Sequence, residues 1–122
     1  MYLIDKVQTM VDGVKNITLW LGSGGVCVSQ QEAQARANIC ITCPLNKHTS
    51  YVTKEVADAT HKFLEFKNGL DLRVNGERSL YHCAGCGCVL RLLIWEPQDR
   101  VKSQMTGEEV AVTPNFCWKL KP

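Results

Sequence analysis

The sequence predicts an α+β fold in one small domain, and three observations support this prediction. The chain has 122 residues, a usual length for a single hydrophobic core. Apolar residues recur at three- and four-residue spacing in several segments, which indicates amphipathic helices. An Asn-Gly pair separates two stretches of alternating apolar residues, which favours a β-hairpin. We therefore expect helices and a short hairpin to share one core.

A first helix is predicted over residues 3–16, because six apolar side chains fall on one helical face there. These are Leu3, Ile4, Val7, Met10, Val11 and Val14. The glycine-rich segment 22–25 predicts a turn. Trp20 and Leu21 precede it and are expected to anchor it to the core.

A second helix is predicted over residues 30–38. Ser29 and Glu32 have the spacing of a capping box, in which two side chains satisfy free backbone N–H groups at a helix start. This helix leads directly into Cys40, so we expect it to position the first pair of cysteines.

A third helix is predicted over residues 54–67, and Asn68-Gly69 is a typical left-handed stop. Its apolar or small residues at helical spacing are Val52, Val56, Ala59, Thr60, Phe63 and Leu64.

The hairpin is predicted over residues 70–82, with its turn at Asn75-Gly76 and its second strand running into Cys83. Residues 88–95 are rich in leucine and β-branched side chains, so a strand is the first prediction and a helix the alternative. Within 98–114, Val101 and Met105 indicate one short helical face.

Six of the seven cysteines form a spaced framework of Cys40-x2-Cys43, Cys83-x2-Cys86-x-Cys88 and Cys117. Two Cys-x-x-Cys pairs suit tetrahedral zinc, because each pair bends the backbone so that two thiolates reach one ion. One pair from each segment gives a closed four-sulfur site, which predicts a structural role. The leading ligand set is Cys40, Cys43, Cys83 and Cys86, in a zinc-ribbon-like arrangement.

Cys88 and Cys117 leave several arrangements open. They could replace Cys83 or Cys86, build a second metal site, share thiolates in a two-zinc cluster, or lie buried as small apolar groups. Disulfides and free thiols are further alternatives. An iron–sulfur cluster also uses four thiolates, although Zn2+ is preferred. All six framework cysteines are therefore candidate metal ligands.

The remaining cysteine and the histidines carry weaker signals. Cys27 lies between two valines and is expected to be a buried apolar group. His82 adjoins Cys83 but is expected to point to the opposite side of a strand. His48 and His61 are expected to be solvated.

Composition and motifs argue against several classes of function. The net charge is only +2, and 14 basic residues are spread among 12 acidic ones, which is weak support for nucleic-acid binding. No local pattern predicts an activated cysteine with an oriented base, so the chain is not expected to be an enzyme. The glycine-rich segment lacks the Lys-Ser/Thr of a phosphate loop.

No membrane span or exported state is predicted either. The most apolar run, Val89 to Trp95, is short and contains Arg91. Asp5 and Lys6 interrupt the segment in which a signal peptide would be apolar, so a reducing cytosol is expected, where cysteines bind metal more often than they form disulfides.

On these residues the chain resembles a family of small cysteine-rich proteins encoded by tailed bacteriophages and prophages. The resemblance covers a minority of the chain but includes all six framework cysteines. The matching stretches are Trp20 with the glycines after it, residues 34–46, residues 83–90 and Cys117-Trp118. Many relatives end in Cys-Pro-x-x-Lys-Trp, whereas here Trp118 follows Cys117 directly. The insert 47–82 is longer than in compact relatives.

The resemblance implies a phage gene product in a bacterial host cytoplasm. We expect one metal-stapled domain over 1–122, in which 1–26 hold the first helix and turn and 27–122 hold the cysteine framework with its 47–82 insert. The predicted function is a non-enzymatic zinc-binding structural or adaptor protein that binds other phage proteins, as a minor virion component of tail, baseplate or neck.

Two surfaces are candidates for such partners. The first helix and the neighbourhoods of Trp20, Trp95 and Trp118 are expected to contact another protein, unless the tryptophans lie in the core.

The alternative function is a nucleic-acid-binding or regulatory zinc module. Its basic face would consist of Arg91, Arg100, Lys102, Lys119 and Lys121.

Overall fold

Helices provide most of the regular structure, and a two-stranded antiparallel sheet completes an α+β domain. The computed structural model of the chain describes residues 15–47, 54–85 and 88–120. The helices are α1 (15–22), α2 (Gln30–Ile41), α3 (Lys54–Asn68), α4 (Leu90–Leu93), α5 (Gln98–Gln104) and α6 (Gly107–Val112). Short 3₁₀ turns cover Glu77–Ser79 and Trp118–Leu120. Strands β1 (Asn46–Lys47) and β2 (His82–Cys83) form the sheet.

Helix α1 leads into the predicted glycine-rich turn. Gly24 and Gly25 have φ values of 114° and 62°, which only glycine adopts without strain. Trp20 is buried as predicted, and its ring N–H donates to the carbonyl oxygen of Val26 at 2.8 Å. The predicted first helix lies outside the described residues except for positions 15 and 16, which are helical.

Helices α2 and α3 confirm the predictions made from capping and periodicity. The hydroxyl of Ser29 accepts a hydrogen bond from the N–H of Glu32 at 3.1 Å. Helix α2 continues beyond the predicted end to Ile41, so Cys40 lies within its last turn. Helix α3 ends at Asn68, and Gly69 follows with a left-handed φ of 63°.

The hairpin predicted over 70–82 is wrong. The N–H groups of Leu72 and Asn75 donate to the side chains of Glu65 and Gln34, at 3.1 Å and 2.7 Å, rather than to an opposing strand. Gly76 has a φ of 83°, and the chain after it enters a 3₁₀ turn. The apolar residues of this segment are nevertheless buried at Leu72, Val74 and Leu80. Strand β2 pairs instead with β1, and Asn46 lies opposite Cys83.

The strand predicted over 88–95 is also wrong, and the helical alternative describes the centre of this segment. Residues 90–93 form α4, and only Val89 makes an isolated bridge to His82. Nearly every side chain from 88 to 96 is buried. A run that is apolar on all sides shows no period, so sequence alone does not distinguish a buried strand from a short buried helix.

The core draws on every part of the described chain. Trp20, Trp95 and Trp118 all lie in it, which confirms the alternative that these tryptophans belong to the core and not to a partner surface. The 47–82 insert contributes Leu64 and Leu72, both fully buried, and is therefore part of the core. Helix α2 packs against α4, and α5 packs against the Trp118–Leu120 turn. Val101 is buried on α5 as predicted.

Several large apolar side chains lie at the surface on and directly after α3. Phe66 has 87% of its surface exposed, and Val56, Phe63 and Leu70 are each about half exposed. Within the described segments, no helix is long and apolar enough to cross a membrane.

Candidate metal centre

The first pair of cysteines lies where α2 turns into β1. Cys40 occupies the last turn of α2, and the N–H of Cys43 donates to the carbonyl oxygen of Cys40 at 3.1 Å. The N–H of Asn46 then donates to the carbonyl oxygen of Cys43 at 3.0 Å, which closes a second turn before the strand. Two consecutive turns thus fix the direction in which the chain leaves the pair.

Strand β2 brings Cys83 beside this pair. Cys83 lies opposite Asn46 in the sheet, and the N–H of Ala84 donates to the carbonyl oxygen of Leu45 at 2.7 Å. The N–H of Cys83 donates to the carbonyl oxygen of Cys88 at 2.9 Å, so the chain doubles back after the cysteine. The sheet therefore fixes the distance between two segments that are far apart in sequence.

A third segment supplies Cys117. Its N–H donates to the carbonyl oxygen of Pro114 at 3.0 Å, in a turn that leads into Trp118–Leu120. Cys40, Cys43, Cys83 and Cys117 line one small cavity of about 10 Å³, together with apolar side chains such as Leu90 and Leu93. Four cysteines from three separate parts of the chain thus line one cavity.

These four cysteines are free thiols, as are Cys27 and Cys88. In the three described segments, no group of three or more His, Cys, Asp or Glu side chains is close enough to hold a metal ion as placed. The sulfurs line the cavity without meeting at its centre. Binding of an ion would therefore require their side chains to close around it.

Nitrogen donors are directed at three of the four sulfurs. The ring N–H of Trp118 donates to Cys40 Sγ at 3.2 Å, and the ammonium of Lys119 donates to Cys83 Sγ at 3.6 Å. The backbone N–H of Lys119 donates to the sulfur of Cys117. Hydrogen bonds to sulfur favour its anionic form, which is the form that binds metals.

Burial acts in the opposite direction on the same thiols. It raises the pKa of Cys40 to about 12, against the hydrogen bond from Trp118, and it also raises the pKa of Cys117. Without a bound metal ion, the thiols of Cys40 and Cys117 stay protonated at neutral pH. A nucleophilic cysteine requires the opposite shift, so Cys40 and Cys117 do not have the lowered pKa of an activated thiol.

The other framework cysteines take different places. Cys86 lies outside the described residues. Cys88 is buried at a second cavity of about 80 Å³, where the side-chain N–H of Asn16 donates to its sulfur at 3.5 Å. Cys27 was predicted to be buried and is half buried. Its sulfur accepts a hydrogen bond from the Asn68 side chain at 3.3 Å.

The histidines differ in part from their predictions. His82 lies in β2 beside Cys83 but does not line the sulfur cavity. His48 lies outside the described residues. The expectation that His61 is solvated is wrong: its ring is largely buried, and Nε2 is 2.8 Å from the carbonyl oxygen of Leu72.

Two members of the basic face in the alternative function form ion pairs within the protein. Lys119 is only 2% exposed and forms an ion pair with Glu109 at 2.9 Å. Arg91 forms an ion pair with Asp58 on α3. Lys121 lies outside the described residues, which leaves Arg100 and Lys102 as the described members of that set without such an ion pair. Two of the four described members of this set are thus neutralised by carboxylates of the same chain.

The sequence interpretation missed three buried charged side chains near the cavity, those of Arg36, Lys119 and Glu109. The guanidinium of Arg36 lies 4.2 Å from the centre of the Trp118 ring, whose N–H reaches Cys40. Lys119 and Glu109 form the ion pair beside Cys83. The only signal for Lys119 was its place two residues after Cys117. Nothing in the pattern around Arg36 or Glu109 marked them as buried.

Glu96 is a further buried charge, and it predicts a pH dependence. It is completely buried, with Asn16, Arg36 and Arg100 around it, and burial raises its pKa from about 4.5 to about 7. A raised carboxyl pKa means that the folded state binds the proton more tightly than the unfolded state. The resulting stabilisation is complete below pH 4.5 and is lost as the pH rises through 7.

We therefore expect Glu96→Gln to gain stability relative to the wild type between pH 5.5 and 8, by about 1–3 kcal/mol. Urea unfolding at each pH measures the free energy of unfolding of both proteins. Subtracting the wild-type value from that of the variant removes the pH effects that both proteins share. An unchanged difference across that interval would show that Glu96 does not titrate there.

Comparison with protein-family models, with curated proteins and with solved structures found no match to this chain.

Proposed function

We propose that this chain is a non-enzymatic, zinc-stapled structural or adaptor domain in which Cys40, Cys43, Cys83 and Cys117 bind the ion. The observation that carries the proposal is that thiols from three separate segments line one cavity. Zinc in structural sites takes four thiolates in a tetrahedral arrangement and leaves no position open for substrate. Cys86, which lies outside the described residues, is the alternative fourth ligand.

The surroundings of the cavity fit a thiolate site. Donors from Trp118 and Lys119 already reach Cys40, Cys83 and Cys117. Backbone hydrogen bonds fix the turn before β1 and the start of β2, so the backbone on both sides of the cavity is held in place. Bound zinc would supply the positive charge that lets buried thiols ionise, and would join α2, the sheet and the C-terminal turn.

The adaptor role is supported by the resemblance to small phage proteins and by the surface of α3. Exposed apolar side chains of this size often mark protein contacts. Phe63 and Phe66 lie one turn apart on α3 and are exposed, as is Leu70 just after the helix, and such side chains suit an apolar partner. Such a partner is another protein of the phage particle.

Metal content tests the first part of the proposal. Protein purified without chelators is expected to contain about one zinc per chain by elemental analysis. Iron with inorganic sulfide would indicate the cluster instead. Protein that folds with no metal would refute the proposal.

The second part is tested on purified phage particles. Mass spectrometry is expected to detect the chain in particles of the phage that encodes it. Its absence from particles, together with its presence in infected cells, would remove the virion role and leave the zinc domain intact.

A further inference from the structure

Lys119 is a buried cation that touches the sulfur cavity twice. Its ammonium donates to Cys83 Sγ at 3.6 Å, and its backbone N–H donates to the sulfur of Cys117. The side chain is 3% exposed. The cost of burying an ammonium is large unless it is paired, so its position requires a specific partner.

Glu109 is that partner, and it is held in place on α6. Its carboxylate Oε2 lies 2.9 Å from the Lys119 ammonium, and its side chain is 9% exposed. The hydroxyl of Thr106 caps α6 by accepting from the N–H of Glu109 at 3.1 Å. Helix α6 thus fixes the carboxylate, and the carboxylate fixes the ammonium beside Cys83.

A buried ammonium such as that of Lys119 would stabilise a four-thiolate zinc site. Four thiolates around one divalent ion leave two negative charges in excess, and burying them is unfavourable. Hydrogen bonds from charged donors offset this cost more strongly than those from neutral donors. Mutation of a group that hydrogen-bonds to a metal ligand commonly lowers metal affinity by about 10- to 100-fold.

We propose that Lys119 is a positioning and charge-compensating residue of the metal centre, and that it raises the affinity for a divalent ion through its contacts with Cys83 and Cys117. The inference rests on the proposed zinc site. Glu109 has the separate role of orienting Lys119. The alternative is an ion pair that stabilises the fold and has no effect on the metal.

Substitutions at the two positions separate these roles. Lys119→Met removes the ammonium but keeps an apolar chain of similar length. Glu109→Gln keeps a hydrogen-bond acceptor near Lys119 and leaves the ammonium in place. The double variant Lys119→Met with Glu109→Met removes the pair without leaving one charge buried alone, so it covers the case in which the single Lys119 variant does not fold.

The experiment is titration of the metal-free proteins with Co2+, followed by competition with Zn2+ in the presence of a chromophoric chelator. We expect Lys119→Met and the double variant to bind about 10- to 100-fold more weakly than the wild type, and their sulfur-to-cobalt absorption bands to shift. Glu109→Gln should retain affinity within about 3-fold and keep the wild-type spectrum. A purely structural ion pair would not move the spectrum.

Wild-type affinity and spectrum in both proteins that lack Lys119 would overturn this inference and leave the zinc site standing. Equal losses in Glu109→Gln and Lys119→Met would also overturn it, because the effect would then belong to the ion pair. A wild-type protein that binds neither Co2+ nor Zn2+ would overturn the proposed function itself, and this inference with it.

Discussion

Replacing Cys40 by serine is expected to abolish zinc binding and to unfold the domain in native buffer. Structural zinc contributes about 10–16 kcal/mol of apparent binding free energy in small domains. Domains of this size have a net stability of about 5–15 kcal/mol. Cys40 is buried in the last turn of α2, and its sulfur accepts a hydrogen bond from Trp118. A serine at this position would leave the proposed zinc site with three thiolates inside the core. Circular dichroism and elemental analysis of the same sample measure both effects.

Cys27→Ser is the matched control. Cys27 lies apart from the sulfur cavity, and serine can accept the hydrogen bond that Asn68 donates to its sulfur. We expect full metal content and a loss of about 1 kcal/mol or less. A Cys40→Ser protein with unchanged metal content and melting temperature would show that Cys40 is not a ligand.

Cysteine-to-serine substitution at the other framework positions identifies the fourth zinc ligand. Cys117→Ser should lose the metal as Cys40→Ser does, because Cys117 lines the same cavity. Cys88→Ser should retain it, because Cys88 is buried at the second cavity beside Asn16. Loss of metal in Cys86→Ser with retention in Cys117→Ser would restore the ligand set that the two Cys-x-x-Cys pairs favour.

Local signals in the sequence were sufficient for α2 and α3. Ser29 and Glu32 marked the start of α2, and Asn68-Gly69 marked the end of α3, because capping depends on a few neighbouring residues. Both helices were predicted with nearly correct bounds. The segments that failed depend on distant partners.

The two wrong predictions of secondary structure, the hairpin and the strand, have a common physical cause. The backbone N–H groups of Leu72 and Asn75 are satisfied by side chains from α3 and α2, which no local pattern reveals. The buried run that contains α4 is surrounded by core on all sides, so its apolar residues show no period. Tertiary contacts decided the structure in both cases.

The candidate site was predictable in its ligand types but not in its assembly. Cysteine spacing identified Cys40, Cys43 and Cys83, whereas the place of Cys117 beside them depends on how the C-terminal turn packs against α5. The buried cations Arg36 and Lys119 looked like ordinary surface residues in the sequence, because burial of a charge requires partners that only the fold supplies.

Arg36 joins the candidate metal centre to the C-terminal end of α4. Its guanidinium donates to the carbonyl oxygens of Ile94 and Glu96 and to the side chain of Gln98. The same group lies over the ring of Trp118, which donates to Cys40. Arginine suits this position because its planar group can donate several hydrogen bonds and stack at once.

Arg36→Met is therefore expected to destabilise the domain by about 3–5 kcal/mol, because two buried carbonyl groups lose their donor and the Trp118 ring loses its cation. Arg36→Lys should recover only a small part, since an ammonium cannot stack and bridge in the same way. Arg73→Met is the control: its side chain is 78% exposed and pairs with Asp71 at the surface, so a change within about 0.5 kcal/mol is expected. Urea unfolding of the three variants measures these differences. Equal stability of Arg36→Met and Arg73→Met would mean that water replaces the donors of Arg36, and that α4 does not depend on this contact.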